Sequence, residues 1–284
     1  MKPLSNLPSD LRHARHTAFT LVELLVVMAI IGVLAAIGIP AMKGMGGSND
    51  IAAGVRQLMD DLSYARLKAI NERSTVYVVF VSPTILNETW TPEQRREVSK
   101  LAKLQYTSYA LFTKRSLGDQ PGPGTPRYIT EWKTLPDGII IPTNKFNMLS
   151  ALTARRDEPL ISRPFFFGDN SSPANKAHLI PFPNATNAPI PLPYIAFDFQ
   201  GRLKQPPNMS LPHDVIIPIS KGSVVYPQED PALVAQGNLA AAEVIETPKG
   251  NYTNNPCIRI DWLTGRARVV RPEKMDYADR GPTI

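Results

Sequence analysis

The stretch HTAFTLVELLVVMAIIGVLAAIGIPAM, residues 16–42, governs how the rest of the chain is read. From Phe19 to Ile39 almost every side chain is apolar. At ~1.5 Å of rise per helical residue the run reaches about 30 Å, the thickness of a hydrocarbon core. Its single charge, Glu23, stands close to the start. A secretory signal has a shorter apolar region closed by a small-residue cleavage site. Val33-Leu34-Ala35 would serve as one, yet the apolar run continues past it. A single-pass anchor fits the length, with the basic residues before the run holding the N-terminus in the cytoplasm and the following chain outside. Neither role needs a carboxylate at position 23, which costs up to a few kcal/mol at mid-membrane and usually serves a specific partner.

A cut between Ala18 and Phe19 gives that carboxylate a task. The new α-amino group lies one helical turn before Glu23, and the helix dipole favours a negative charge in the first turn. In a lateral assembly of such helices, Glu23 of one subunit meets the amine of the next. Pairing offsets the desolvation of both charges, and a subunit out of register leaves them unpaired.

The ordered run AFTLVELLVVMAIIGVLAAIGIP resembles the N-terminus of type IV pilins and pseudopilins: a small residue, Phe-Thr-Leu-Val-Glu, then an apolar helix with a proline placed as Pro40 is. The resemblance implies cleavage between Ala18 and Phe19 by a prepilin peptidase and N-methylation of Phe19. It also implies residence in the bacterial inner membrane, N-terminus cytoplasmic and C-terminal domain periplasmic, before assembly with other pilins or pseudopilins into a filament. Ala18 stands where the family has glycine, and the leader is long, with Arg12 and Arg15 as its basic residues.

Working outward, Pro40 lacks a donor and clashes with the preceding turn, so it is expected to kink or end the membrane segment. Gly44, Gly46 and Gly47 follow and weaken the helix further. Beyond them Ile51, Val55, Leu58, Leu62, Ala65 and Ala69 recur at spacings of four and three, an amphipathic helix clasped by the protein's own sheet. The expected organisation is a leader at 1–18, an N-terminal helix at 19–73 (19–42 in the membrane, 49–73 amphipathic) and a soluble β-rich domain at 74–284.

Strands are expected at 75–82, 103–113, 127–132, 194–204, 214–220 and 257–270, where β-branched and aromatic residues gather. Two of these contain hairpins, turning at Gln200-Gly201 and Thr264-Gly265. One long helix followed by antiparallel strands is an α+β fold. The motifs ARLKAI, LPDGI, FDFQGR and IDWLTGRARV resemble those of H-type minor pseudopilins of type II secretion and of FimT-like minor pilins. Residues 83–102, 114–126, 155–193 and 227–256 read as added loops, rich in proline between Glu158 and Pro218, that touch neighbouring subunits or a secreted substrate, or simply line the surface.

Of the net charge of +6 the leader supplies +2, and the remaining +4 is modest and suggests neither a histone-like nor a strongly acidic partner surface. Cys257, the one cysteine, cannot form an intramolecular disulfide; beside Ile258 and Ile260 it reads as a buried strand thiol. The histidines His13, His16, His178 and His213 show no metal-ligand spacing, and PGPGTP at 121–126 lacks the ending of a phosphate loop. Asp169, Asn170 and Asp198 form no ordered calcium ladder. The chain is therefore expected to be a structural subunit with no cofactor and no metal, not an enzyme; an anchored hydrolase is the rival. TGRARVVR is the feature closest to a binding site. On a strand Arg266 and Arg268 share a face opposite Ala267 and Val269, with Arg271 next. The segment resembles the Gly-Arg-x-Arg pattern of FimT-like minor pilins, which implies DNA as a second possible partner. Asp261, Glu273, Asp276 and Asp279 dilute its positive field.

Overall fold

A computed structural model describes residues 21–115, 124–148, 159–168, 173–206, 212–226 and 241–271, with the side chains of 35–49, 175 and 251 outside that description. The chain divides into two compact units, Met1–Gly46 and Gly47–Ile284. Helix α1 is Leu21–Asn71, and Glu23 lies in its first turn. In the first unit the apolar side chains of 21–34 are exposed. Among the described residues no helix is long and apolar enough to cross a membrane. The described side chains of the apolar run stop at Leu34, so the expected span at 19–42 extends beyond them on both sides. Of the two outcomes expected at Pro40, a kink or an end, the end is corrected, since helical backbone runs through Pro40 and the glycines after it. A proline removes one N–H, and the bonds on either side can still propagate the helix.

In the second unit α1 buries Ile51, Val55, Leu58, Leu62, Ala65 and Ala69, the stripe read from its spacing. After the helix come β1 (Val76–Phe80), α2 (Pro92–Ala102), β2 (Ser108–Thr113), β3 (Arg127–Tyr128), β4 (Lys133–Thr134) and β5 (Ile139–Ile140). These are followed by β6 (Phe166–Phe167), a short α3 (Pro173–Lys176), β7 (Ile180–Pro181), β8 (Pro189–Ile190) and β9 (Pro193–Phe197). The described residues end with β10 (Val215–Pro218), β11 (Ser220–Val225), β12 (Glu243–Glu246), β13 (Cys257–Ile260) and β14 (Ala267–Val270). The main sheet runs β3-β2-β1-β9-β6, with β4 also on β2. Its centre is antiparallel, Val78 facing Leu111 on one side and Ile195 on the other. Smaller sheets run β10-β13-β14, β12-β11-β5 and β7-β8.

Strand alternation puts Val78, Phe80, Tyr109 and Leu111 on one face. Tyr109 on that face donates to Asp61 Oδ2 of α1 at 2.6 Å, and Lys133 pairs with Asp61 Oδ1 at 2.6 Å. Gln57 donates to the Tyr109 hydroxyl and to the Thr134 carbonyl at 3.1 and 2.8 Å. Gly54 lets α1 approach LPDGI closely, since a Cβ there would lie 3.2 Å from Ile139 Cγ2.

The opposite face carries Tyr77, Phe112 and Tyr194, and it too is buried. Trp90 and Phe182, from the segments 83–102 and 155–193 read as loops, pack over it, which corrects that reading for those two segments. An aromatic chain runs from Phe112 to Tyr128, Trp132, Phe182 and Trp90, with centroids 5.1 to 5.8 Å apart. Tyr128 donates to Pro181 O at 2.7 Å and Trp132 to Pro183 O at 3.3 Å. Within the expected loop at 83–102, α2 starts with a capping box, Thr91 and Gln94 each bonding the other's backbone N–H. Every residue of β1, β2 and β9 is buried, and a strand buried on both faces needs a second layer.

Two strand readings are also corrected. Of RYITEW only Arg127–Tyr128 is strand, β3; after a bend β4 follows at Lys133–Thr134, and both pair with β2. The expected strand at 214–220 splits into β10 and β11, Val215–Pro218 pairing with β13 and Ser220–Lys221 with β5. Pro218 lacks the N–H that an unbroken ladder needs.

Candidate functional site

Three of the sequence motifs meet at one point. The turn after β9 closes with Asp198 N–H on Arg202 O and Gly201 N–H on Asp198 O, both 2.9 Å, while Asp198 Oδ1 accepts from the N–H groups of Gln200 and Arg202. That carboxylate, considered above as a calcium ligand, is a turn cap. In the β13–β14 turn, Gly265 N–H reaches Asp261 O at 2.8 Å, and Asp261 Oδ1 accepts from Thr264 N–H and Oγ1–H at 2.7 and 2.8 Å. Burial pushes the Asp261 carboxyl up, but the Thr264 bonds, the Leu263 N–H and the Arg268 charge outweigh it and hold the group low.

The two turns press together. Gly201 and Gly265 both have positive φ, +77° and +63°, and a Cβ on Gly265 would lie 1.9 Å from Gly201 O. A Cβ on Gly201 would meet Ile70 Cδ1 at 2.7 Å. Arg66 Nε–H, from ARLKAI on α1, is shared between Thr264 O at 2.8 Å and Gly201 O at 3.1 Å. Leu203 N–H adds a bond to Trp262 O at 3.1 Å. The helix thus holds both hairpin tips.

On this base stands the basic segment. Arg266, Arg268 and Arg271 are all exposed. Arg268 lies opposite Arg259 in the β13–β14 register, and Arg259 Nε is held by Asp214 Oδ2 at 2.6 Å. Ala267 is partly buried against the core, whereas Val269 is 48% exposed on β14, the last strand of its sheet. Phe199 and Leu263, at 57% and 48% exposure, lie on the same two turns and sequence reading did not single them out. Their signal was an aromatic and an aliphatic residue two positions before each turn glycine.

The remaining candidates are dispersed. Glu23 is exposed. Ala18, Phe19, Asp169, Asn170, His13 and His16 lie outside the described residues, as does the side chain of Pro40. Cys257 is fully buried, and burial raises its thiol to about 11. His178 and His213 are buried, stacked on Tyr194 and edge-on to Phe166 respectively. Among the described residues no group of three or more His, Cys, Asp or Glu could hold a metal ion.

Residues 13–39 match the family model described as the prokaryotic N-terminal methylation motif. No curated protein and no solved structure matches the chain. The N-terminus is thus type IV pilin-like, which supports processing by prepilin peptidase and assembly with other pilins. The motif is typical of membrane-anchored pilins. It spans Ala18, Phe19 and Glu23 and ends one residue before Pro40.

Proposed function

We propose that the protein is a minor pseudopilin or minor pilin, a structural subunit of a type II secretion system or of a type IV pilus-like filament, and not an enzyme. The N-terminal methylation motif at 13–39 carries this reading. In it, residues 1–18 are the leader, Ala18-Phe19 is the cleavage junction and Phe19 becomes the methylated N-terminus. Glu23 sets subunit register through the new amine. The apolar helix holds the precursor in the inner membrane, with the β-rich domain on the periplasmic side, and later lines the filament. The α1 clamp on both hairpin tips supports a filament role, because it ties the helix to the domain that contacts neighbouring subunits or a secreted substrate. The test is the mature N-terminus, read by mass spectrometry after co-expression with a prepilin peptidase. A chain beginning at N-methylated Phe19 is expected; an uncut Met1, or a start near Ala36, overturns the proposal.

The exposure of Arg266, Arg268 and Arg271 favours a second reading, a DNA-binding minor pilin. Salt-sensitive binding in a mobility-shift assay that disappears in Arg266→Ala/Arg268→Ala selects this reading. Absence of binding at low salt removes it.

A further inference from the structure

Where β1 begins and β2 and β9 end, hydrogen-bond donors and positive charge gather without matching acceptors among the described residues. Lys114 Nζ, just past β2, donates to Leu179 O at 2.8 Å and to Ala177 O, and stands 5.7 Å from the centre of the Tyr77 ring. His178, between those two carbonyl residues, stacks on Tyr194 at 5.4 Å with an interplanar angle of 3°. It also meets Tyr77 edge-on at 6.2 Å. Lys204 is fixed by its N–H on Ala196 O at 2.8 Å, and its Nζ lies 3.4 Å from Thr75 Oγ1. His178 is 5% exposed and Tyr194 0%, yet among the described residues His178 Nδ1 and the Tyr194 hydroxyl have no hydrogen-bond partner.

We propose that Lys114, Lys204 and His178 form an oxyanion site that takes a phosphate- or sulfate-like group at this end of the main sheet. Buried polar atoms in native proteins are almost always satisfied, so two orphans require an explanation: His178 Nδ1, on the residue between the two carbonyls that hold Lys114, and the hydroxyl of Tyr194, whose ring stacks on His178. Each lysine retains unspent N–H donors, and a neutral imidazole and a phenol can each donate one hydrogen. The missing component is an acceptor-rich anion, bonded through charge-assisted contacts. No described carboxylate fills that role. Among the described residues neither lysine belongs to an ion pair, and Asp198, the one acid of the β9 hairpin, places Oδ1 in its own turn. The electrostatics agree: burial and then Lys204 lower Lys114 to about 8, and burial, Lys204 and Lys114 lower His178 to about 4. Lys204 is exposed and Lys114 half-buried, which leaves the solvent side as the way in.

The test is thermal unfolding of the purified full chain in increasing inorganic phosphate against chloride at equal ionic strength. A saturable rise of roughly 2–4 °C with phosphate is expected. The apparent affinity falls at least tenfold in Lys204→Met and in Lys114→Met and stays unchanged in Lys100→Met, an exposed lysine on α2. Phosphate also raises the pH at which the His178 imidazole titrates by NMR. That readout, with Lys204→Met, decides the matter if Lys114→Met fails to fold. Methyl phosphate as a parallel probe separates sources: binding equal to phosphate assigns the end of an esterified group, and loss of binding assigns the free ion. An equal response to chloride, or a phosphate response unchanged in Lys204→Met, overturns the proposal.

Discussion

Single residues hold the hairpin junction in place. A methyl group on Gly265 would strike Gly201 O and also sit at positive φ, so Gly265→Ala is expected to cost roughly 3 kcal/mol, measurable by urea unfolding. Arg66→Met keeps much of the packing but leaves two turn carbonyls without their shared donor; a loss of about 1–2 kcal/mol is expected in the same assay. His178 makes stability depend on pH. Burial first, then Lys204 and Lys114, depress it from 6.5 to about 4, so the unfolded chain takes up the proton more readily. Its contribution is complete above about 6.5 and is lost as pH falls toward 4. The drop in stability between pH 7 and 4.5 should shrink in His178→Phe, which keeps a ring against Tyr194.

Elements follow from local pattern wherever one layer suffices. The spacing of four and three from Ile51 to Ala69 identified the buried face of α1, and every residue of that stripe is buried. The turn glycines at 201 and 265 were equally readable, because a positive φ without a Cβ is a local requirement. Helix α2 was missed inside a supposed loop although Thr91-Pro92-Glu93-Gln94 spells a capping box with proline at its start. Thr91→Ala is expected to cost about 1 kcal/mol by removing the bond to Gln94 N–H, with a small loss of helical circular dichroism.

The whole molecule adds a layer to the main sheet that patterning did not foresee. α1 covers one face, and the aromatic chain through Trp132, Phe182 and Trp90 covers the other. Because the second unit contains the C-terminal part of α1, a fragment starting at Gly47 is expected to unfold cooperatively. One starting at Ser74, which strips Leu58, Leu62 and the Asp61 carboxylate from the sheet, should bind hydrophobic dyes and show no sharp transition. The sequence by itself determined the methylation-motif N-terminus, the amphipathic stripe, the hairpins and the α+β class, since each rests on contacts a few residues apart or on a fixed period. Only the tertiary structure decided that Arg66, Gly201 and Thr264 meet, that Trp90 and Phe182 from the 83–102 and 155–193 segments join a core layer, and that Lys114 is held by the carbonyls on either side of His178. Those arrangements join residues distant along the chain, and no local periodicity records which buried face packs on which.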